Sequence, residues 1–180
     1  MDFEVSKTQC YTCCGITVLV VMIGLLIWSA DTVEPIEYGL KYNTLSKNID
    51  TSTVYDGGWY IIWPMNSFIT YPSTVVNVDF AKFPDAKSTP FMARSSEGLS
   101  IEISFSFQYQ LVRDSLPELY KKYQQRYEEN YIRFVKGAII EKSSNFSTTD
   151  YWKNRDMVGE EYRRAIDEKL QPYFAICTGF

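Results

Sequence analysis

The chain has 180 residues, 46% of them hydrophobic and 16% aromatic, and a net charge of −4, which leaves room for one membrane anchor and one domain with its own core. Lys and Arg are scattered among acidic neighbours, and this excludes a nucleic-acid partner, which needs a concentrated basic face. There is no histidine, so the usual acid/base near neutral pH is missing, no Ser-His-Asp or Cys-His site can form, and no catalytic residue, metal or cofactor is expected.

The first element is a run without charge between Lys7 and Asp31, 23 positions long, with the apolar centre Gly15–Trp28. At 1.5 Å per helical residue it reaches about 34 Å against a hydrocarbon core of about 30 Å. Tyr11 and Trp28 suit the two aromatic belts. A transmembrane helix is therefore expected over residues 12–30, after a short flank at 1–11 and before a domain at 31–180. A core helix would carry polar interruptions, whereas this run has only Thr and Ser. A cleaved signal would want a basic start and small residues at −3 and −1, yet Trp28-Ser29-Ala30 puts Trp at −3. Gly24 inside the run keeps a re-entrant hairpin open as a third reading. Lys7 on one side against Lys41 and Lys47 on the other does not decide orientation.

Cys10, Cys13 and Cys14 cluster on the flank, where juxtamembrane thiols are open to reversible palmitoylation; thiols simply tolerated at the interface are the equal alternative. Cys10-x-x-Cys13 has zinc or redox spacing, but four zinc ligands cannot be assembled from what remains.

Beyond Asp31, Ile36–Asn43 and Trp59–Trp63 read as strands around the turn Asp56-Gly57-Gly58, where glycine permits positive φ. Ser67–Tyr71 and Thr74–Phe80 form a further pair around Pro72, and 82–90 is an exposed loop. Trp59–Tyr71 carries Trp59, Tyr60, Trp63, Phe68 and Tyr71 without a charge. As a strand-turn-strand hairpin, Trp59, Tyr60, Trp63 and Phe68 would press into the interfacial layer; the competing reading makes these rings the domain's own core.

Leu99–Leu111 alternates strictly, Leu, Ile, Ile, Phe, Phe, Tyr, Leu against Ser, Glu, Ser, Ser, Gln, Gln, and predicts one half-buried antiparallel strand covered by helices. Then the period changes. Ser115-Leu-Pro-Glu118 is a capping box, and Leu116, Leu119, Tyr120, Tyr123 and Tyr127 follow at helical spacing, continued by Tyr131, Val135, Ala138 and Ile139. Thr148-Thr149-Asp150 caps a further helix whose buried face is Met157, Val158, Tyr162, Ala165, Ile166 and Leu170, with Glu160–Arg164 and Arg164–Glu168 pairs outside. Gln171-Pro172 stops it and Tyr173–Phe180 begins a strand with nothing downstream to pair with, as in a chain cut short. Asn145-Phe146-Ser147 is a glycosylation sequon, a triplet common by chance.

These pieces, in this order, resemble the band-7 or SPFH superfamily, which includes stomatin, prohibitin, flotillin and bacterial membrane-protease regulators. The resemblance rests on Val33–Leu40 after the anchor, Tyr55–Pro64, Phe68–Pro72, the stretch Ser95–Tyr109 as the family's Thr-x-Asp-Gly-hydrophobic strand, Phe146–Asp150 and Asn154-Arg155. It implies an α+β domain with a mostly antiparallel sheet packed by helices, followed in the family by a coiled coil absent here. It also implies a non-catalytic scaffold, single-pass in a plasma, endomembrane or mitochondrial inner membrane. Its partners would be lipid, homo- or hetero-oligomers of SPFH proteins and other membrane proteins. The alternative is an accessory subunit of a larger membrane complex.

Overall fold

The structure, a computed structural model, describes residues 15–24, 29–63 and 65–180. Residues 15–24 form a helix (α1) whose side chains are exposed throughout. Among the described residues no helix is long and apolar enough to cross a membrane, and the remainder of the expected span, 12–14 and 25–28, lies outside them. The predicted end of the span at residue 30 is corrected: Ser29 is a turn residue and Ala30 already opens a strand.

Among the described residues ten strands follow the apolar centre of the run. In chain order the first five are β1 (Ala30–Val33), β2 (Glu37–Asn43), β3 (Asn48–Tyr55), β4 (Gly58–Ile61) and β5 (Asn66–Pro72). β4 folds back on β1, with Asp31 opposite Tyr60 and Thr32 opposite Trp59, while β2 lies between β3 and β5. The expected hairpin within Trp59–Tyr71 does not form, because its two strands belong to different sheets. The expected pair around Pro72 separates for the same reason: β5 goes to β2, and β6 (Val76–Phe80) goes to β9.

Leu99–Leu111 is not one strand. It divides at Ser104 into β8 (Ser100–Ile103), which pairs with β7 (Phe91–Arg94), and β9 (Phe105–Leu111), which pairs with β6 and β10 (Ala175–Gly179). The alternation survives the break, so the sequence signal of one strand serves two sheets. The terminal strand has its partner upstream, in β9. All strand pairs are antiparallel, as expected, but they make four small sheets of two or three strands.

Side chains and loops meet the outer borders of the two three-stranded sheets. The Cys177 N–H on β10 donates to Asp167 Oδ1 at 3.1 Å, and Ser88 bridges the free side of β6 at Phe80. The Phe68 N–H on β5 donates to Asp31 Oδ2 at 3.2 Å. On β3, Leu40 faces Val54 while Tyr42 faces Ile49, so 50–53 bulge outward, and Arg113 Nη2 donates to Val54 O at 3.2 Å. Unpaired borders invite strand addition from another chain, and each of these is blunted.

The helices are α2 (Leu116–Tyr123), α3 (Tyr127–Ser143), α4 (Asp150–Lys153) and α5 (Arg155–Leu170). The continuous stripe expected from Leu116 through Ile139 is interrupted at Gln124, whose φ of 54° ends α2; the Tyr71 hydroxyl donates to the turned-out Gln124 carbonyl at 3.0 Å. Ser115 does not cap α2. It already sits in a 3-10 turn with φ −97° and ψ 0°, whereas a capping side chain needs an extended backbone beneath it. Asp150 instead accepts from the Ser147 hydroxyl and N–H at 2.8 and 2.9 Å, and these bonds, with Asn154, hold its carboxyl below the usual range. The ion pairs on α5 are Glu160–Arg163 and Glu161–Arg164, three apart, not the four-apart pairs expected. Met157, assigned to the buried face of α5, is 50% exposed; Val158, Tyr162, Ala165, Ile166 and Leu170 are buried as expected.

The core is largely aromatic. Rings run in contact from Tyr71 to Tyr127 (5.4 Å between centroids), Tyr131 (5.5 Å), Tyr109 (5.2 Å) and Phe107 (6.0 Å), joining α3 to the apolar face of β9. Edge-to-face pairs of this kind add about 0.5–1.5 kcal/mol each beyond the area they bury. Tyr131 also donates to Tyr173 O at 2.5 Å, fixing the chain reversal before β10. Burial pushes the Tyr71, Tyr131 and Tyr162 hydroxyls up, and Tyr127 up to about 12.

Candidate membrane-contact site

The place where the hydrophobic run meets the domain is built by β1 and β4. The Ile62 N–H donates to Ser29 O at 2.7 Å, and the Ser29 hydroxyl donates back to Ile62 O. The chain leaving the run is thus bonded to the strand that carries the tryptophans. Asp31 is occupied locally, accepting from the Thr32 N–H at 2.9 Å and from the Phe68 N–H of β5.

Strand period then sorts the aromatic residues. Side chains alternate between faces, so Trp59, Ile61 and Trp63 project together, 82%, 78% and 78% exposed, while Ile62 is buried. Met65 beyond them is also exposed. Tyr60 turns to the other side, where its ring meets Tyr55 at 5.0 Å and Phe68 at 5.5 Å, with Tyr55 and Phe68 5.1 Å apart. Its hydroxyl donates to Asp56 O at 2.8 Å. Of the four residues expected at the interface, the structure places Trp59 and Trp63 outside and packs Tyr60 and Phe68 in a half-buried ring cluster; Tyr71 belongs to the core. Ile61 joins the exposed face and was missed, although alternation with Trp59 and Trp63 marks it.

Two features hold this ribbon in place. Arg113 forks onto Asp56, Nε to Oδ1 at 3.1 Å and Nη2 to Oδ2 at 2.7 Å, tying the turn before β4 to the start of α2. Gly57 is required by space rather than by positive φ: a Cβ there would lie 2.5 Å from Pro35 Cα and 2.8 Å from Glu34 O. No charged residue occurs from Gly57 through Val78. Two indoles of about 150–250 Å² each, transferred from water at about 25 cal/mol per Å², represent several kcal/mol available to an apolar surface. Scattered exposed apolar residues are ordinary, but exposed Trp, Ile and Trp at alternate positions along β4 and just past it, with no charge among them, are not.

Elsewhere the chemistry is sparse. Among the described residues no three Cys, Asp or Glu side chains are grouped to hold a metal ion. A shallow cleft of about 280 Å³ between β2 and β3 is lined by Lys41, Asn43, Ser46, Asn48, Asp50 and Asn66, with Asp50 engaged by Ser52. Cys10, Cys13 and Cys14 lie outside the described residues.

Small antiparallel sheets packed by two long helices, entered through a ribbon at the end of a hydrophobic run, define an α+β module. The family described as SPFH domain / Band 7 matches residues 31–178, and the chain belongs to it. Members of this family are generally membrane scaffolds or regulators, generally non-catalytic, and typically oligomerise and associate with membranes. No curated protein matches the chain closely enough to count as a relative.

Proposed function

We propose that this chain is a non-catalytic scaffold held in a bilayer by the hydrophobic run ahead of Asp31, with its domain lying against the interfacial layer through Trp59, Ile61 and Trp63. Copies, alone or with other SPFH proteins, assemble side by side and organise lipid and neighbouring membrane proteins. The carrying observation is positional: exposed Trp59 on β4 and exposed Trp63 just past it stand either side of Ile62, whose backbone is hydrogen-bonded to Ser29, the first described residue after the run's apolar centre. Indole rings favour the level of the lipid headgroups, which is where a chain emerging from hydrocarbon would hold them. Tyr60 and Phe68 support the ribbon from behind rather than touching lipid. Acylation of Cys10, Cys13 and Cys14 on the opposite flank would add a second hold.

The full chain with Trp28→Phe and Trp152→Phe retains Trp59 and Trp63 as its only fluorophores of that type. Reconstituted in vesicles containing lipids brominated near the headgroup, it should lose most of its indole emission. Emission equal to that in unbrominated vesicles overturns the interfacial placement. Mass measurement in mild detergent then addresses assembly. A many-copy ring supports the scaffold, and a single copy among unrelated subunits supports the accessory-subunit reading instead.

A further inference from the structure

The hydrophobic run divides the chain's reactive groups unequally. Cys10, Cys13 and Cys14 lie at its N-terminal end, ahead of the apolar centre Gly15–Trp28, and Cys177 alone follows. Cys177 is buried at 5% exposure, with its Sγ 3.5 Å from Gly179 O, so the domain presents no exposed thiol among the described residues. Exposed thiols are liabilities in oxidising compartments and are tolerated in reducing ones.

The asparagines give a second, independent sorting. Asn43 and Asn48 accept local backbone N–H groups, Asn77 and Asn154 donate to Asp79 and Asp150, Asn130 donates to Arg126 O, and the Asn66 Oδ1 is enclosed. Asn145 is the one asparagine of the described domain whose carboxamide is exposed and unengaged. It is also the one that begins an Asn-x-Ser/Thr triplet. The turn explains its exposure. α3 ends at Ser143, the Asn145 N–H closes the turn on Lys142 O at 3.0 Å, and Phe146 is drawn inward against Tyr162 (5.9 Å) and Tyr151 (6.3 Å). The Ser96 N–H, donating to Phe146 O at 2.9 Å, pins the middle of the triplet and leaves Asn145 in solvent. A substituent on its amide displaces no contact of the fold.

We infer that Asn145 is an N-glycosylation site and that the domain after the hydrophobic run faces a secretory lumen or the cell exterior, with Cys10, Cys13 and Cys14 on the cytosolic side. The inference rests on the reading of that run as a membrane anchor. In the transfer, the Asn145 Nδ2 attacks C1 of an oligosaccharide carried on a polyprenyl pyrophosphate. The Nδ2–C1 bond forms, the C1–O bond to pyrophosphate breaks, the polyprenyl pyrophosphate leaves, and one Nδ2 proton passes to a base of the membrane transferase.

The full chain is translated with endoplasmic-reticulum microsomes and analysed by gel mobility, N-glycosidase digestion and alkaline carbonate washing. The expected result is carbonate-resistant chain with one glycan's mobility step, reversed by N-glycosidase, lost in Asn145→Gln and kept in Ser147→Thr. Ala86→Asn, which starts a new sequon in the exposed 82–90 loop, is made in the Asn145→Gln background to report which side the domain occupies. Carbonate-resistant chain glycosylated at the new sequon while the unmutated chain is not overturns the site. Carbonate-resistant chain with neither glycosylated overturns the orientation and the site together. Release by carbonate sinks the anchor itself, and the inference falls with it by a result the other outcomes do not produce.

Discussion

Aromatic residues do opposite work in the two halves of the domain. In the β9–α3 half, Phe107, Tyr109 and Tyr131 are fully enclosed, with Tyr109 edge-on to Tyr131 and tilted against Phe107. At the β1–β4 ribbon, Trp59 and, just past β4, Trp63 stand in solvent with no ring neighbour among the described residues, although they belong to the residue class most able to stabilise a core. Composition alone does not separate the two uses. Strand period and long-range pairing do, because they decide which side of each strand has a helix on it.

If that contrast is right, the core half should fail where the ribbon half does not. The largest effect is expected in alkali. The enclosed tyrosines are neutral in the fold, with hydroxyls held above their unfolded value of about 10. Their contribution is fully present below pH 10 and is lost as pH rises through the folded values, about 12 for Tyr127. Tyrosinate absorbance followed beside near-ultraviolet circular dichroism should show these groups ionising in one step with loss of the fold; smooth ionisation of all tyrosines near pH 10 in an intact fold would contradict the burial. Next is Tyr131→Ala, which removes two ring contacts and the bond to Tyr173 O. Urea unfolding of the full chain in detergent should register a loss of about 3–5 kcal/mol.

Gly57→Ala tests the ribbon's attachment instead. Its methyl meets backbone at Pro35, so about 1–3 kcal/mol should be lost in the same assay, and a neutral result would mean that the Glu34–Pro35 turn yields freely. Tyr109→Phe tests a polar contact on the core side. The enclosed Tyr109 hydroxyl has the Tyr127 hydroxyl as its neighbour, and deleting it should cost about 0.5–1.5 kcal/mol in the same assay; no loss would mean that the two hydroxyls do not bond. The smallest effect on folding belongs to the double change Trp59→Ser and Trp63→Ser, within about 0.5 kcal/mol, since neither ring is packed. Those changes should nevertheless reduce binding of the domain face to vesicles, read as lower protection of Met65 from oxidation by a water-soluble oxidant.

Sequence made the long periodic elements plain. The alternation through Phe105–Leu111, the buried faces of α3 and, Met157 apart, of α5, and the loop at 82–90 appear where periodicity and turn chemistry put them. What escaped is of three kinds. β1 and β7 are four residues each, too short to show a period, and β1 pairs with a strand far along the chain. β3, with Asp50-Thr51-Ser52-Thr53 at its centre, is polar and bulged and carries no apolar alternation. The breaks at Ser104 and Gln124 fall inside unbroken patterns, because a tertiary constraint sets them: the change of sheet in one case and the Tyr71 hydroxyl on a free carbonyl in the other. At the candidate site, reading all the rings as one surface ignored their parity. Odd positions 59, 61 and 63 are out, and even positions 60 and 62 are in.

The blunted strand borders carry a consequence for life in two dimensions. Molecules confined to a bilayer meet at far higher effective concentration than in solution, and an open strand would offer each encounter a route into irreversible fibre-like fusion. Asp167, Ser88, Asp31 and Arg113 each take up part of the border of a three-stranded sheet, so a second copy would find fewer free backbone groups there to extend.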